Sequence, residues 1–181
     1  LGRGISYCAV CDGAFFKNQT IAVVGSGRSA VQETMYLANF AYKIYMVVRK
    51  DTLKVEQELI DKLKLYKNIE IIYNTRVTKI NGQEKVDSVT LNDEDELKVS
   101  GLFIYIGYEP NITYLQNFDI FDNDGYIEVN EDYETREKGL YAVGDSIKRK
   151  YYQIIMAMSS GAEAALNVNN SLKNKSEKTQ K

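Results

Sequence analysis

The 181-residue sequence contains no histidine, only two cysteines and a single proline. The missing histidines limit metal chemistry, because a structural zinc site needs four cysteine or histidine ligands and this chain has two. Only a site shared between copies of the chain would supply the rest, so we expect no metal. Two cysteines also exclude the cysteine-rich disulfide framework of small secreted domains.

Two further absences exclude whole classes of partner. No apolar run approaches the roughly 20 residues that a membrane span needs. A formal charge of −2 gives no electrostatic reason to bind nucleic acid. We therefore expect no membrane and no nucleic-acid partner. The sequence opens on Leu1 with no initiating methionine, and we expect it to be the interior of a longer protein.

The two cysteines lie together in the segment Cys8-Ala9-Val10-Cys11-Asp12-Gly13. A two-residue gap lets two thiols close a small disulfide ring, and a thiolate in such a pair attacks other disulfides. Asp12 can donate or take the proton that this exchange requires. The alternative is a pair of inert core cysteines, but the spacing favours a redox-active dithiol. A single redox pair suits a reducing cytoplasm, where we expect the protein to reside.

A strand, a glycine loop and a helix follow the cysteines directly. The apolar run Thr20–Val24 predicts a strand, and residues 29–40 carry apolar side chains at helical spacing. Residues 43–48 predict the next strand, which completes a βαβ unit of the expected ~30 residues. This order predicts a Rossmann-like arrangement.

The loop between that strand and helix is Gly25-Ser26-Gly27-Arg28-Ser29-Ala30. Gly25 would make the tight turn, Gly27 would let the backbone approach a pyrophosphate, and Ala30 would keep the helix close to the strand. The phosphates would rest on the helix N-terminus. The loop therefore predicts a dinucleotide site.

Basic residues follow the second strand of this unit. A carboxylate at this position would bind the ribose 2′-hydroxyl of NAD, whereas basic side chains accommodate the 2′-phosphate of NADP. The sequence offers Arg49 and Lys50, with Lys54 further on. The alternative is a solvated basic cluster with Asp51 as its acidic partner. We favour NADP.

The rest of the sequence predicts shorter elements. A helix is expected over residues 56–66 and an antiparallel meander over 70–73, 76–81, 86–91 and 96–99, with turns at Asn81-Gly82 and residues 92–95. A domain boundary is expected near Ser100. Strands over 101–106, 126–129 and 140–143 and a helix from Gln153 to about Leu172 would follow, and then a disordered tail.

Five ordered motifs resemble those of the bacterial-type, low-molecular-weight thioredoxin reductases, in the C-terminal part of that family's chain. They are residues 4–13, the loop 25–30, Arg49-Lys50-Asp51 with Lys54, residues 101–111, and Thr135-x-x-x-Gly139-x-Tyr141-Ala142-x-Gly144-Asp145. The resemblance extends over nearly all of residues 1–172.

The resemblance implies an α/β fold with two parts. Residues 1–100 would be a Rossmann-like NADP-binding domain with an antiparallel meander. Residues 101–172 would be the C-terminal half of a Rossmann-like FAD-binding domain, and 173–181 a disordered tail. The first half of the FAD domain would lie upstream of Leu1, so the isolated chain is expected to be inactive.

The resemblance also implies roles for individual residues. Cys11 would exchange electrons with the flavin, Cys8 would attack the partner disulfide, and Asp12 would transfer the proton. Asp145 would bind the ribityl chain of FAD. The remaining residues expected at the flavin are Gly107, Gly144, Gln153 and Ile154.

Three positions depart from the family pattern. Val48 replaces a histidine before the paired basic residues, Lys50 and Lys54 replace arginines, and Tyr152 replaces an arginine before Gln153. Lysine provides charge without the bidentate fork of arginine, so the preference for NADP over NAD is expected to be softer.

The expected function is that of a thioredoxin-disulfide reductase, which transfers electrons from NADPH through FAD and the cysteine pair to thioredoxin or a thioredoxin-like protein. The resemblance implies a homodimer for the full-length protein. One alternative is the flavoprotein reductase of a peroxiredoxin (alkyl hydroperoxide reductase) system. Another is an inactive nucleotide-binding fragment.

Overall fold

The computed structural model describes the backbone of residues 2–108 and 110–179, and side chains as far as residue 173. The chain divides into two compact units, Leu1–Gly107 and Tyr108–Lys181. The helices and strands of the first unit are β1 (Ile5–Ser6), α1 (Ala9–Asp12), β2 (Thr20–Val24), α2 (Arg28–Leu37), β3 (Lys43–Val47), α3 (Gln57–Leu63), β4 (Ile69–Ile72), β5 (Val77–Asn81), β6 (Ser88–Leu91), β7 (Asp95–Lys98) and β8 (Gly101–Ile104).

The centre of the first unit is a five-stranded parallel sheet in the order β1-β8-β2-β3-β4. Strand β2 pairs with β3 on one side, where Ala22 lies opposite Tyr45, and with β8 on the other, where Ala22 lies opposite Leu102. Parallel strands need crossover connections, and α2 supplies the one between β2 and β3. The predicted βαβ unit is therefore present.

The first unit ends after Gly107, whereas the sequence suggested a boundary near Ser100. The difference comes from β8, which inserts between β1 and β2 and buries Phe103 completely. A continuous apolar strand is typical of the middle of a parallel sheet, where both faces are covered.

A three-stranded antiparallel sheet, β5-β6-β7, forms the predicted meander. Asn92 and Asp93 both have positive φ, 49° and 67°, as a tight hairpin turn between β6 and β7 requires. The segment expected as the first meander strand instead forms β4, which pairs in parallel with β3. Its register sets Ile71 opposite Met46, and Ile71 packs with the core around Met46.

The parallel sheet is covered on both faces because side chains alternate along each strand. Ile21 and Val23 of β2 face the core cluster that includes Ala9 of α1 and Leu37 of α2. Ala22, between them, faces the cluster that includes Val89 of the meander. The first unit is thus a three-layer arrangement of helices, parallel sheet and meander.

The second unit has its own core of Ile112, Ile120, Ile127, Ala142 and Ile147. The strands predicted over 126–129 and 140–143 appear only as isolated bridges, Phe121 with Ile127, Ile127 with Ile147 and Glu134 with Tyr141. A single bridge does not make a ladder, so the described part of this unit contains bridges in place of those strands.

The last helix, α4 (Ile154–Thr179), begins close to the predicted residue 153 and extends beyond Leu172. The backbone is therefore helical over 173–179, where a disordered tail was expected; residues 180 and 181 of that tail lie outside the described part. The lysine-rich end suggested a frayed tail, but lysine and glutamate are good helix formers that extend an existing helix. No helix in the described ranges combines the length and apolar character of a membrane span.

Candidate functional site

The two cysteines form a disulfide, Cys8–Cys11, at the start of the short helix α1. Cys8 is the N-cap residue, and its Sγ accepts a hydrogen bond of 3.1 Å from the backbone N–H of Cys11. Cys8 is half-buried and Cys11 is exposed. The pair is therefore accessible to an external thiol or disulfide.

The segment that follows the disulfide is fixed to the parallel sheet. The ring of Phe16 packs edge-on against Phe103 of β8, with centroids 5.2 Å apart. A side chain at Gly101 would have no room, because its Cβ would lie 2.3 Å from the Phe16 ring. The redox segment thus has a rigid support.

Asp12, the predicted proton-transfer residue, is the last residue of α1 and is half-buried. Its Oδ2 accepts a hydrogen bond of 2.6 Å from the hydroxyl of Ser6, at the end of β1. Ser6 was not among the predicted site residues, although it lies in the motif of residues 4–13. No residue pattern indicates which hydroxyl reaches a given carboxylate.

Two ionisable side chains beside α1 were also missed. Burial raises the pKa of the Glu33 carboxyl, although a hydrogen bond from the Ala9 backbone N–H opposes the shift. Tyr105 follows β8, its hydroxyl oxygen is buried, and burial together with the nearby Glu33 charge raises its pKa. Glu33 lies in the predicted helix after the glycine loop, but only the tertiary fold brings it to α1.

The glycine loop connects β2 to α2 as predicted. Gly25 has φ +152°, and a Cβ there would lie 2.4 Å from the carbonyl oxygen of Tyr105 and 2.7 Å from Cβ of Ala30. At Gly27 a Cβ would meet nothing within 4 Å. The backbone at Gly27 is thus open to an incoming group, at the N-cap of the ten-residue helix α2. This cradle fits a dinucleotide pyrophosphate.

The basic residues lie beside this loop because β2 and β3 are adjacent parallel strands whose carboxyl ends meet at one edge. Arg49 and Lys50 follow β3 and are exposed. The backbone N–H of Lys54 donates a 2.8 Å hydrogen bond to the carbonyl of Ser26, which fixes the basic segment to the loop. The arrangement fits a nucleotide that carries an additional phosphate.

Two residues of the predicted nucleotide loop differ in their surroundings. Arg28 pairs with Glu56, and both side chains are exposed. Ser29 is exposed in the first turn of α2, whereas Ala30 is completely buried against the sheet. The role expected for Ala30, close helix–strand packing, agrees with this burial.

The predicted flavin residues are divided between the two units. Gly107 ends the first unit, with φ +114°. Gly144 in the second unit has φ +66°, and its N–H donates a 3.0 Å hydrogen bond to Ser160 Oγ of α4. The turn it makes leaves the Asp145 carboxylate exposed.

The N-terminal end of α4 lies close to this turn, since Ala157 packs against Gly144. Gln153, just before α4, is half-buried, and Ile154 is 81% exposed. An exposed carboxylate and an exposed apolar side chain fit the ribityl hydroxyls and the ring of a flavin, respectively.

The residues that depart from the family pattern have structural surroundings of their own. Val48 is completely buried, in the same core cluster as Met46. Tyr152 stacks on Tyr108 with ring centroids 6.5 Å apart and lies 6.1 Å from the Tyr126 ring. Its hydroxyl accepts a hydrogen bond from the Arg149 backbone N–H.

A family model described as pyridine nucleotide-disulphide oxidoreductase matches residues 1–161. The chain belongs to the pyridine nucleotide-disulphide oxidoreductase family. Membership of this family confirms the predicted α/β, Rossmann-like class, and a disulfide beside a dinucleotide cradle is consistent with the family's description.

Sequence relatives of this chain include curated thioredoxin reductases. That of Bacillus subtilis is 42% identical over 173 residues, which cover 92% of this chain and 55% of the relative. That of Borreliella burgdorferi is 37% identical over 176 residues, 94% of this chain and 54% of the relative. The chain thus spans about half the length of the curated relatives it matches.

Among solved structures, thioredoxin reductase from Streptococcus pyogenes superposes with a TM-score of 0.87 at 36% identity. The match covers 95% of this chain and 58% of that one. The resemblance to thioredoxin reductases predicted from the five motifs is confirmed by these relatives.

Proposed function

We propose that this chain is the part of an NADPH-dependent thioredoxin-disulfide reductase that contains the redox-active disulfide, the NADP site and one portion of the FAD site. The observation that carries the proposal is the occurrence of the Cys8–Cys11 disulfide and an open glycine cradle in one unit, Leu1–Gly107. The curated thioredoxin reductases that match 92–94% of the chain give further support.

The nucleotide is bound by the first unit. The open backbone at Gly27 and the first turn of α2, including Ser29, receive the pyrophosphate, and Gly25 keeps the turn tight. Arg49, Lys50 and Lys54 bind the 2′-phosphate. Arg28, which pairs with Glu56, adds positive charge to the nucleotide-binding loop.

In the second unit, Asp145 would hold the ribityl chain of FAD and Ile154 would lie against the flavin ring, with Gly144 and Gln153 beside them. Gly107, at the end of the first unit, is a further residue proposed for flavin binding. When bound, NADPH and FAD would together supply the two electrons that reduce the Cys8–Cys11 disulfide.

The reduced pair then reduces a partner disulfide. The Cys8 thiolate attacks one partner sulfur, which forms a mixed disulfide and releases a partner thiolate. The Cys11 thiolate attacks Cys8 Sγ, restores the Cys8–Cys11 disulfide and releases the second thiolate. Asp12 takes the Cys11 proton and passes it to a leaving thiolate.

The partner is thioredoxin or a thioredoxin-like protein. Three exposed apolar side chains lie close to the disulfide in the chain: Tyr7 precedes Cys8, Val10 lies between the cysteines, and Phe15, which is 76% exposed, follows Cys11. Exposed apolar side chains beside an accessible disulfide fit a protein partner better than a small polar thiol. The full-length protein functions as a cytoplasmic homodimer.

The test is Cys11→Ser in the full-length enzyme. This variant should lose thioredoxin reduction while NADPH still reduces the bound flavin, because the flavin loses its acceptor disulfide. Glu84→Ser, in the exposed loop between β5 and β6, serves as the matched control and should retain both steps.

Thioredoxin reduction that persists in Cys11→Ser would overturn the proposal. If the unaltered enzyme reduces a peroxiredoxin-linked thiol protein and not thioredoxin, the peroxiredoxin-system alternative replaces it.

A further inference from the structure

Ser6 is a buried polar residue with no role in the function proposed so far. It ends β1, where it pairs with Phe103 of β8, and the residue is only 2% exposed. A buried hydroxyl without partners is costly, so its hydrogen bonds identify what it holds in place.

The Ser6 hydroxyl connects the two ends of α1. It donates to Asp12 Oδ2 at 2.6 Å and accepts the backbone N–H of Cys8 at 3.1 Å. The Cys8 carbonyl oxygen also lies 3.3 Å away, but the single hydroxyl proton goes to the nearer, charged acceptor. The Ser6 hydroxyl therefore forms hydrogen bonds with both the Asp12 carboxylate and the Cys8 backbone N–H.

The residue that makes these hydrogen bonds, Ser6, lies in a rigid part of the fold. Ser6 belongs to the parallel sheet, whereas α1 has only four residues and would not hold a side chain in place by itself. The helix contributes one further backbone bond between its ends, from Asp12 N–H to the Cys8 carbonyl at 3.1 Å.

We propose that Ser6 is a positioning residue for thiol–disulfide exchange, which holds the Asp12 carboxylate at the Cys8 end of α1. The inference rests on the proposed function. During exchange, Cys8 and Cys11 lose two electrons and become a disulfide, and the external disulfide gains them and becomes two thiols. Asp12 moves the Cys11 proton to one leaving thiolate, and solvent protonates the other. Ser6 holds the Asp12 carboxylate in position for this proton transfer and exchanges no proton itself.

The test measures exchange in the 181-residue chain, reduced and then mixed with hydroxyethyl disulfide, so that neither flavin nor NADPH is needed. Ser6→Ala should slow oxidation of the cysteine pair about tenfold, which is part of the roughly hundredfold or more that positioned proton transfer provides. Ser88→Ala, an equally buried serine of the meander, is the matched control and should leave the rate unchanged.

A double-mutant cycle separates positioning from a merely structural role. In the Asp12→Asn chain, adding Ser6→Ala should change the rate less than twofold, because the group that Ser6 positions no longer transfers a proton. Ser6→Thr, which keeps the hydroxyl, should restore most of the rate. If Ser6→Thr does not fold, as judged by thermal unfolding, the double-mutant cycle alone decides.

An equal loss from Ser6→Ala with and without Asp12 would overturn the inference, as would a normal rate in Ser6→Ala. These results leave the proposed function standing, because that proposal fails only if the full-length enzyme does not reduce thioredoxin through Cys11.

Discussion

At the residue scale, a few charged side chains decide which nucleotide the first unit accepts. Arg49 and Lys50 are exposed after β3, and the Lys54 backbone is fixed to Ser26 of the glycine loop. Because these cations are exposed, they contribute little to folding stability and are available to a phosphate.

We predict that replacing Arg49 and Lys50 with glutamine weakens NADPH binding and spares NADH. One lost charge-assisted hydrogen bond costs about 1.5–3 kcal/mol, roughly ten- to more than a hundredfold in affinity. Titrating the chain with NADPH and with NADH measures both affinities. Lys67→Gln, at an exposed lysine before β4, is the control. Equal weakening of both nucleotides would mean that these side chains support the fold.

Glu33 is the residue whose ionisation should make stability depend on pH. Burial raises its pKa above the ordinary value of 4.5, so the folded state prefers the protonated carboxyl. Its contribution to stability is complete below pH 4.5 and is lost as pH rises through the raised value.

We therefore predict that the free energy of unfolding of Glu33→Gln, relative to that of the unaltered chain, is higher at pH 8 than at pH 5. Urea unfolding at both pH values measures the difference. Glu58→Gln is the control, because hydrogen bonding to Lys62 lowers the pKa of this exposed carboxyl, which is opposite in direction to the shift at Glu33. A Glu33→Gln effect of the same size at both pH values would contradict the prediction.

At the element scale, the two glycines of the β2–α2 loop, Gly25 and Gly27, are required for different reasons. Gly25 needs a positive φ and has no room for a Cβ, whereas Gly27 has ordinary extended backbone and open space. The first glycine therefore serves the fold, and the second is available to serve the ligand.

We predict opposite outcomes for the two alanine substitutions. Gly25→Ala should reduce the free energy of unfolding by about 1–3 kcal/mol, because the strained backbone and the Tyr105 carbonyl both oppose it. Gly27→Ala should change stability by less than about 0.5 kcal/mol. It should nevertheless weaken nucleotide binding about tenfold, since a methyl group separates the backbone from the pyrophosphate.

Urea unfolding and nucleotide titration of both variants test this pair. Normal nucleotide affinity in Gly27→Ala would show that the loop does not contact the pyrophosphate closely.

At the scale of the whole molecule, each unit contains its own hydrophobic core. Among the described residues, three core clusters lie within the first unit and one within the second. A unit with a separate core and a complete five-stranded sheet has what independent folding requires.

We predict that residues 1–107 expressed alone fold cooperatively and retain the nucleotide affinity of the full chain. Thermal unfolding of the 181-residue chain should then contain one transition at the midpoint of the isolated unit. Non-cooperative unfolding of residues 1–107 would show that the first unit depends on the second.

The sequence by itself determined the features that depend on neighbouring residues. Thr20–Val24 is a strand over the predicted range, the glycine loop follows it, and the Cys8–Cys11 spacing closes into a disulfide. Turn chemistry and two-residue ring closure act over a few bonds, so a short segment contains all the information they need.

Only the tertiary structure decided the features that depend on distant segments. It inserted β8 between β1 and β2 and paired β4 with β3 instead of with the meander. It also brought Glu33 to the Ala9 amide at the start of α1 and Ser6 to the Asp12 carboxylate at its end. Strand order and side-chain pairing depend on the packing energy between segments far apart in the chain. Local residue patterns therefore do not predict them.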